Sequence, residues 1–337
     1  MCNPKLSIIT ATYNVVSKKQ QRYFYEMFLS VHKQTYKNIE HIIVDGGSTD
    51  GSVEFIQKVI QKYAVKEVKF LSEPDKGIND ATNKGAKIST GDYLTLMCDD
   101  DFYTREYSVS KMMDQLQKEH ADYVYADSWW LDKDIWVGDD SSFAYRHPFL
   151  INAFIFKKSM IKDEPYLDLK YPMVGDYDLF LRILKKENVK GCKVSDILTV
   201  LRPGGYSQSN QTQYKKETDE ILAKHFGLRF IFKPSLFKSL HVKMPSPLLL
   251  LKIKRCCKNK KLKESVLNYF TFERCKRRYI SKLEHLLFLK CITKYFRINK
   301  KERERQEQLE KENKIKFYTA ESRKWIDTFD SNSLEEL

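Results

Sequence analysis

The feature that most constrains this chain is a regular alternation, over its first hundred residues, of short apolar runs with amphipathic ones. KLSIITATYN, NIEHIIVD, VKEVKFLSEP and DYLTLM are strand-length and bounded by Gly, Asn, Asp or Pro; YFYEMFLSVHKQ, SVEFIQKVIQKY and NDATNKGAKIS lie between them. In the second amphipathic run Val53, Ile56, Ile60 and Tyr63 recur at helical spacing. Strand and helix in repetition predict an α/β fold with a parallel sheet. Ligands bind such sheets beyond the carboxyl ends of the strands, which directs attention to Thr10–Asn14, Asp45–Ser48, Glu73–Gly77 and Asp99–Asp101. Beyond residue 120 the pattern loosens. ADYVYADSWW and INAFIFKK read as strands, GDYDLFLRILKK as a helix and VSDILTVLRPGG as a strand with its exit, a mixed continuation of the same sheet.

Residues 96–103, LMCDDDFY, end an apolar run in three adjacent carboxylates with no Lys or Arg among their immediate neighbours. Such groups repel one another unless something outside the local sequence neutralises them. A hard divalent cation, held by one or two carboxylates together with substrate phosphates, would do so. The competing readings are a solvated turn or the cap of a helix over Tyr107–Leu116. No G-x-x-x-x-G-K-[ST] and no G-x-G-x-x-G follows the first strand, which argues against Rossmann-type nucleotide binding.

With 337 residues, 42% hydrophobic and 13% aromatic, the chain can bury a substantial core. Its seven cysteines include no C-x-x-C pair, which fits a reduced, cytoplasmic compartment. Neither a signal peptide nor a run of about 20 apolar residues is visible, so contact with a membrane is expected from the side only. The net charge of +14 is unevenly placed. Residues 1–229 carry 32 basic and 32 acidic residues, whereas 230–301 carry 20 against 3. A neutral body precedes a basic appendage.

SIITATYN, HIIVDGGSTDGS, SEPDKGINDATNKG, TGDYLTLMCDDDFY and GDYDLFLR stand in the order and approximate spacing of the family-two glycosyltransferases of the GT-A type. Across residues 5–210 the chain resembles bacterial enzymes that build capsule, O-antigen or exopolysaccharide repeat units, including those of colanic-acid type. The resemblance implies a Rossmann-like, mixed but mainly parallel sheet flanked by helices over residues 1–228, followed by a basic, mainly helical extension over 229–337. It implies metal-dependent, inverting transfer of one sugar from a nucleotide-diphosphate sugar, UDP-linked, to a hydroxyl of a glycan or lipid-linked saccharide. The Q-x-x-R-W signature of processive synthases is absent.

Residue by residue, the resemblance places Thr10, Ala11 and Tyr13 around the nucleotide base, with Asp45 on the uracil imide, where many relatives carry a second Asp at position 46. Lys76, Asn83 and Asp99 join them on the donor. Asp100 is the expected metal ligand, Mg²⁺ or Mn²⁺, with Asp101 supporting it; a frame using Asp99 and Asp101 also fits. Asp176 corresponds to the general base, in a motif where Gly175 replaces the usual Glu. His147 falls on the acceptor side, and Gly204–Ser209 reads as a loop able to close over the donor. Asp178 and Arg182 are spaced for an i,i+4 ion pair.

In the extension, residues 248–258 written as a helix place Leu249, Leu250 and Ile253 opposite Lys252, Lys254 and Arg255, as suits an anionic membrane surface on the inner face of the cytoplasmic membrane. A helical subdomain packed on the body or on a second copy is the other reading. Glu307–Lys311, Glu310–Lys314 and Glu312–Lys316 predict an exposed helix near the end. No nucleic-acid motif accompanies the basic residues. The rival functions are a sugar-phosphate nucleotidyltransferase, which should show a Gly-rich phosphate loop near the first strand, and a non-catalytic nucleic-acid or membrane-binding protein on the same scaffold.

Overall fold

The structure, a computed structural model, describes residues 3–131, 134–140, 143, 147–161, 165–205, 209–226, 324–325 and 327–329. The helices read at 248–258 and within 301–317 lie outside the described residues, as does most of the extension. Within them the elements run β1 (Leu6–Thr12), α1 (Gln21–His32), β2 (Ile39–Asp45), α2 (Ser52–Tyr63), β3 (Glu67–Ser72), α3 (Ile78–Ile88) and β4 (Tyr93–Leu96). There follow β5 (Phe102–Tyr103), α4 (Ser108–Lys118), β6 (Tyr123–Trp130), β7 (Asp134–Trp136), β8 (Phe154–Lys157), α5 (Gly175–Leu184), β9 (Gly191–Leu201) and α6 (Gln211–Phe226).

The strands form one sheet in the order β3-β2-β1-β4-β8-β6-β9-β5, with β7 paired to β6. The first four are mutually parallel, Thr12 lying level with Asp45 and Asp45 with Ser72. The second half is mixed: β8 runs antiparallel to both β4 and β6, and β6 is parallel to β9. The sequence reading of a parallel sheet with a mixed continuation therefore holds. The chain builds outward from β1 to β3, then returns through α3 to add β4 on the other side of β1. That reversal opens a crevice at the carboxyl ends of β1 and β4.

Both faces of the sheet are covered, which is why β1 and β2 read as continuous apolar runs. Ile8 and Ile43 pack with Phe24, Phe28, Ile56, Val59, Met112 and Leu116 on one face, whereas Ile9, Ile42 and Val44 pack with Ala81, Ala86 and the α5 and α6 side chains on the other. Each large side chain so buried contributes roughly 1.5–3 kcal/mol. Helix α3 lies so close that a Cβ on Gly85 would meet Ile9 Cγ2 at 2.6 Å, so only glycine permits this approach. Phe329, from the distal end of the chain, is buried in the first of these faces beneath Lys33, whose Nζ stands 4.5 Å from its ring centre.

A polar chain crosses the α1 face. His32 Nδ1 accepts the backbone N–H groups of Val65 and Lys66 at 3.1 and 3.2 Å, so its proton resides on Nε2, 3.3 Å from His41 Nδ1. His41 Nε2–H then donates to Thr10 Oγ1 at 3.1 Å, and the hydroxyl donates to Met27 Sδ. Every group has a defined direction. Burial, assisted by Lys66, lowers His32 to about 3; burial and His32 hold His41 well below its ordinary value.

On the opposite face Asp178, almost fully buried, accepts from Arg182 Nε at 2.9 Å, Lys224 Nζ at 3.0 Å and His225 Nε2 at 2.7 Å. The i,i+4 pair expected from the sequence is present, and the two further donors tie α6 to α5. Burial alone would raise Asp178, yet His225 and Lys224 hold it well below the carboxylate range.

Two outcomes follow from these networks. Both α1-face imidazoles are neutral when folded, so the stability they contribute is complete above about pH 6.5 and is lost as pH falls below it, for His32 by about 1.4 kcal/mol per pH unit down to about 3, with His41 adding a loss of the same sign. Side-chain ¹⁵N NMR should find both rings as neutral Nε2–H tautomers at about pH 5, where a free imidazole is protonated; protonation near the free value at either ring contradicts the chain. Asp178→Ala strands two cationic groups, Arg182 and Lys224, together with the His225 N–H donor, whose ring burial keeps neutral, and should cost about 3–5 kcal/mol in a denaturant melt, whereas an exposed ion pair would cost under about 1 kcal/mol.

Candidate active site

The crevice at the ends of β1 and β4 gathers the acidic motif. Asp99 and Asp100 are half-buried and Asp101 is fully buried. Burial, and then the charge of Asp100, raises Asp99 to about 7. Burial raises Asp100 against the opposing pull of Arg202 and Lys18, and burial with Asp100 raises Asp101 well above its ordinary value. The motif is neither a solvated turn nor a helix cap, since α4 is preceded at its cap position by Tyr107.

The three carboxylates are not equivalent. Asp101 Oδ1 accepts the backbone N–H of Arg202 at 2.9 Å, and Oδ2 accepts Asn152 Nδ2 at 3.1 Å. Asp100 has no such ties among the described residues. Instead its carbonyl oxygen is gripped by the Arg202 guanidinium, which also pairs with buried Glu26 of α1. The guanidinium sits 4.5 Å from the Tyr23 ring centre and 4.6 Å from that of Phe102. Arg202 thus joins α1, the acidic turn and the end of β9, just before the Gly204–Gly205 exit.

Cys98 Sγ and one carboxylate oxygen each of Asp100 and Asp101 lie within 4.8 Å of one another. This donor set fits a hard divalent cation through its oxygens: two carboxylates converge, both raised by burial and Asp101 further by the charge of Asp100, with Arg202 opposing at each. The thiol is a poor match and is itself pushed well up by burial and the three aspartates.

Asp176 stands at the start of α5, within electrostatic reach of Cys98 beside the acidic turn. Oδ1 accepts the N–H of Tyr177 at 2.9 Å, leaving Oδ2 3.8 Å from His147 Nδ1. His147 is stacked against Tyr177 and Tyr214 with centroids 4.6 and 5.8 Å away, and its buried Nε2 has no hydrogen-bond partner among the described residues. Burial lowers His147, with Asp176 opposing, so the ring is held as a neutral neighbour of the carboxylate. A Cβ on Gly175 would meet Asn79 Nδ2 at 2.5 Å, and Asn79 donates to the carbonyls of Asp168 and Tyr171. The Glu common at this position has no room here.

The donor-side residues separate. Tyr13 is 49% exposed, with Lys18 Nζ 5.4 Å from its ring centre. Thr10 is not at the crevice, because its hydroxyl is committed to His41 and Met27; two residues on, the buried Thr12 hydroxyl is close enough to Asp99 to favour its ionised form. Ala11 packs on the α3 side of the sheet. Asn83 is pinned to the backbone of Leu167 through both ends of its amide, and Lys76 is exposed with its N–H on Asp80. Asp45 is fully buried: Oδ1 takes the Ser48 hydroxyl, and Oδ2 takes the N–H groups of Gly47 and Ser48 and the Ser72 hydroxyl. Arg202, Glu26 and Lys18 escaped the sequence reading; of these only Arg202 carried a signal, at the polar exit of a predicted strand, whereas Thr12 fell within the Thr10–Asn14 strand end.

Comparison with known proteins agrees with this architecture. A profile described as glycosyl transferase family 2 matches residues 7–154. An uncharacterized glycosyltransferase of Haemophilus influenzae is 30% identical over 190 residues, 54% of this chain and 73% of that protein. Glycosyltransferase GlyG of Streptococcus pneumoniae is 32% identical over 120 residues, which span 35% of this chain and 37% of GlyG. Among solved structures, Staphylococcus aureus TarS 1–349 in complex with UDP-GlcNAc superposes with a TM-score of 0.54 at 17% identity, covering 81% of this chain and 92% of that one. Mannosyltransferase PcManGT from Pyrobaculum calidifontis, with GDP-Man and Mn²⁺, gives 0.51 at 14% identity, covering 95% and 86%. The sheet order, the switch-point crevice and these likenesses have one meaning: the chain belongs to glycosyl transferase family 2.

Proposed function

We propose that this protein transfers a single sugar from a UDP-linked donor to a hydroxyl of a glycan or lipid-linked saccharide, with inversion, in the assembly of a surface polysaccharide of capsule or O-antigen kind. The observation that carries this reading is the acidic turn at the β1–β4 crevice: converging carboxylates, all raised by burial and Asp99 and Asp101 further by Asp100, with Asp176 within electrostatic reach. That TarS is seen with UDP-GlcNAc and PcManGT with GDP-Man and Mn²⁺ supports a nucleotide-sugar donor and a divalent cation.

In this reading Asp100 holds the cation with Asp101 behind it, Asp99 faces the ribose or diphosphate, and Tyr13 offers its exposed ring to the base. The cation, Mg²⁺ or Mn²⁺, supplies charge stabilisation to the departing diphosphate. Asp176 is the general base. With Oδ1 tied to the Tyr177 N–H, Oδ2 takes the acceptor hydroxyl's proton as that oxygen attacks the anomeric carbon. The bond from that carbon to the diphosphate oxygen breaks with its electron pair leaving on UDP, and one displacement inverts the centre. His147, neutral and buried against Tyr177 and Tyr214, bounds the acceptor side. Residues 1–228 form the catalytic unit, and the basic stretch from 229 supplies contact with an anionic membrane surface or a second copy. No helix among the described residues is long and apolar enough to cross a membrane.

A panel of nucleotide sugars assayed for released nucleoside diphosphate tests the reading. Turnover should appear with UDP-sugars, vanish with EDTA and return with added Mn²⁺ or Mg²⁺; release that ignores the chelator, or is flat across the panel, contradicts it. Asp176→Asn should lower kcat by about 10²–10⁴-fold with little change in donor KM, as removal of a general base requires. Asp100→Asn should instead raise the Mn²⁺ concentration needed for half-maximal rate.

A further inference from the structure

The donor reading leaves a chemical problem at the base pocket. Asp45 is at the end of β2, yet its two oxygens already accept four hydrogen bonds that close the loop to Ser48 and reach across to Ser72 of β3. A carboxylate so occupied and fully buried has little left for a ligand. The residue after it is glycine, and the space a side chain would fill there is not open: a Cβ on Gly46 would meet Asp75 Oδ2 at 2.7 Å.

Asp75 belongs to the loop between β3 and α3. Its Oδ1 is anchored by the N–H of Gly77 at 2.7 Å, whereas Oδ2, the oxygen over Gly46, accepts no hydrogen bond among the described residues. Gly46 is itself fixed, its N–H donating to the Thr12 carbonyl at 3.0 Å, so the exits of β1 and β2 and the Asp75 carboxylate form one rigid wall. Exposed Tyr13 leaves β1 immediately after Thr12. A free acceptor oxygen therefore sits over the exits of two strands, the first of which continues directly into Tyr13.

We propose that Asp75, rather than Asp45, is the residue that selects the donor's nucleobase, by accepting the imide N3–H of uracil at Oδ2. This assignment rests on the donor reading above and deepens it. Uracil offers one ring N–H flanked by carbonyls, matching one free oxygen. Cytosine and adenine place a ring lone pair at the corresponding position, which a carboxylate repels. Guanine offers two adjacent donors that call for both oxygens, one of which Gly77 holds. Asp45 then acts as a positioning residue that keeps Gly46 and the loop in place.

The test is calorimetric titration of the full-length protein, with Mn²⁺ present, by UDP, CDP and GDP. Wild type should bind UDP at least about tenfold more tightly than CDP or GDP, as a charged acceptor facing the wrong edge requires. In Asp75→Asn the amide oxygen keeps the Gly77 N–H, which turns the NH₂ toward the base. UDP should weaken by about tenfold and the UDP-to-CDP preference fall to within about threefold, because the NH₂ now suits the cytosine lone pair. Gly46→Ala, which pushes the carboxylate aside without altering it, should also weaken UDP by about tenfold and bring no gain for CDP. Asp45→Asn should lower the melting temperature and keep the preference among bases. Asp75 and Gly46 variants that retain wild-type UDP affinity and selectivity overturn the assignment, as does a wild type that prefers GDP, and both results leave the donor reading standing. A wild type that binds none of the three nucleotides overturns the donor reading and this assignment together.

Discussion

The concentration of negative charge at the end of β4 is the constraint around which the rest of the molecule is arranged. Other buried carboxylates in the chain show what ordinary accommodation looks like. Burial would raise Glu40, but Lys69, Ser7 and Thr90 surround it and hold it well below the carboxylate range; His225, Lys224 and Arg182 do the same for Asp178. Asp99, Asp100 and Asp101 are treated differently, each raised by burial and two of them further by Asp100. A fold able to satisfy two acids so completely leaves three under-compensated in one turn, a balance that the cation and phosphorylated donor of the proposed function would complete.

Holding those acids in place takes contributions from distant parts of the sequence. Arg202 arrives from β9, Glu26 from α1 and Asn152 from the turn before β8, and together they fix the backbone of Asp100 and both oxygens of Asp101. The guanidinium is buried between two aromatic rings and neutralised by Glu26, so it anchors the turn while cancelling only part of its charge. On the other wall of the crevice Asn79 fills the space above Gly175 and fastens the segment from Asp168 to Tyr171, which sets where α5 and therefore Asp176 begins.

The same division of labour appears at the base pocket. Carboxylates and hydroxyls that a motif places at strand ends are not all offered to ligands, since a loop must first satisfy its own N–H groups. Asp45 spends its oxygens on Gly47 and Ser48, Asn83 spends its amide on Leu167, and the Thr10 hydroxyl closes the histidine chain on the α1 face. Asp75 Oδ2, the Asp100 carboxylate and His147 Nε2 are, by contrast, left without such ties among the described residues.

Periodicity alone determined the alternation of strands and helices, the parallel first half and the strand ends at which to look, because an apolar run covered on both faces and an amphipathic helix leave local patterns. The motifs singled out Asp99–Asp101 and Asp176, the residues on which the proposed function rests. The helices read in the basic extension lie outside the described residues, while the distal Phe329 packs on the body through a contact no local pattern announces. Which polar atoms are spent and which are free was decided only by the tertiary structure. Hydrogen-bond satisfaction is a property of neighbours that may be a hundred or more positions away in the chain, as Glu26 and Arg202 are, and residue identity cannot report it.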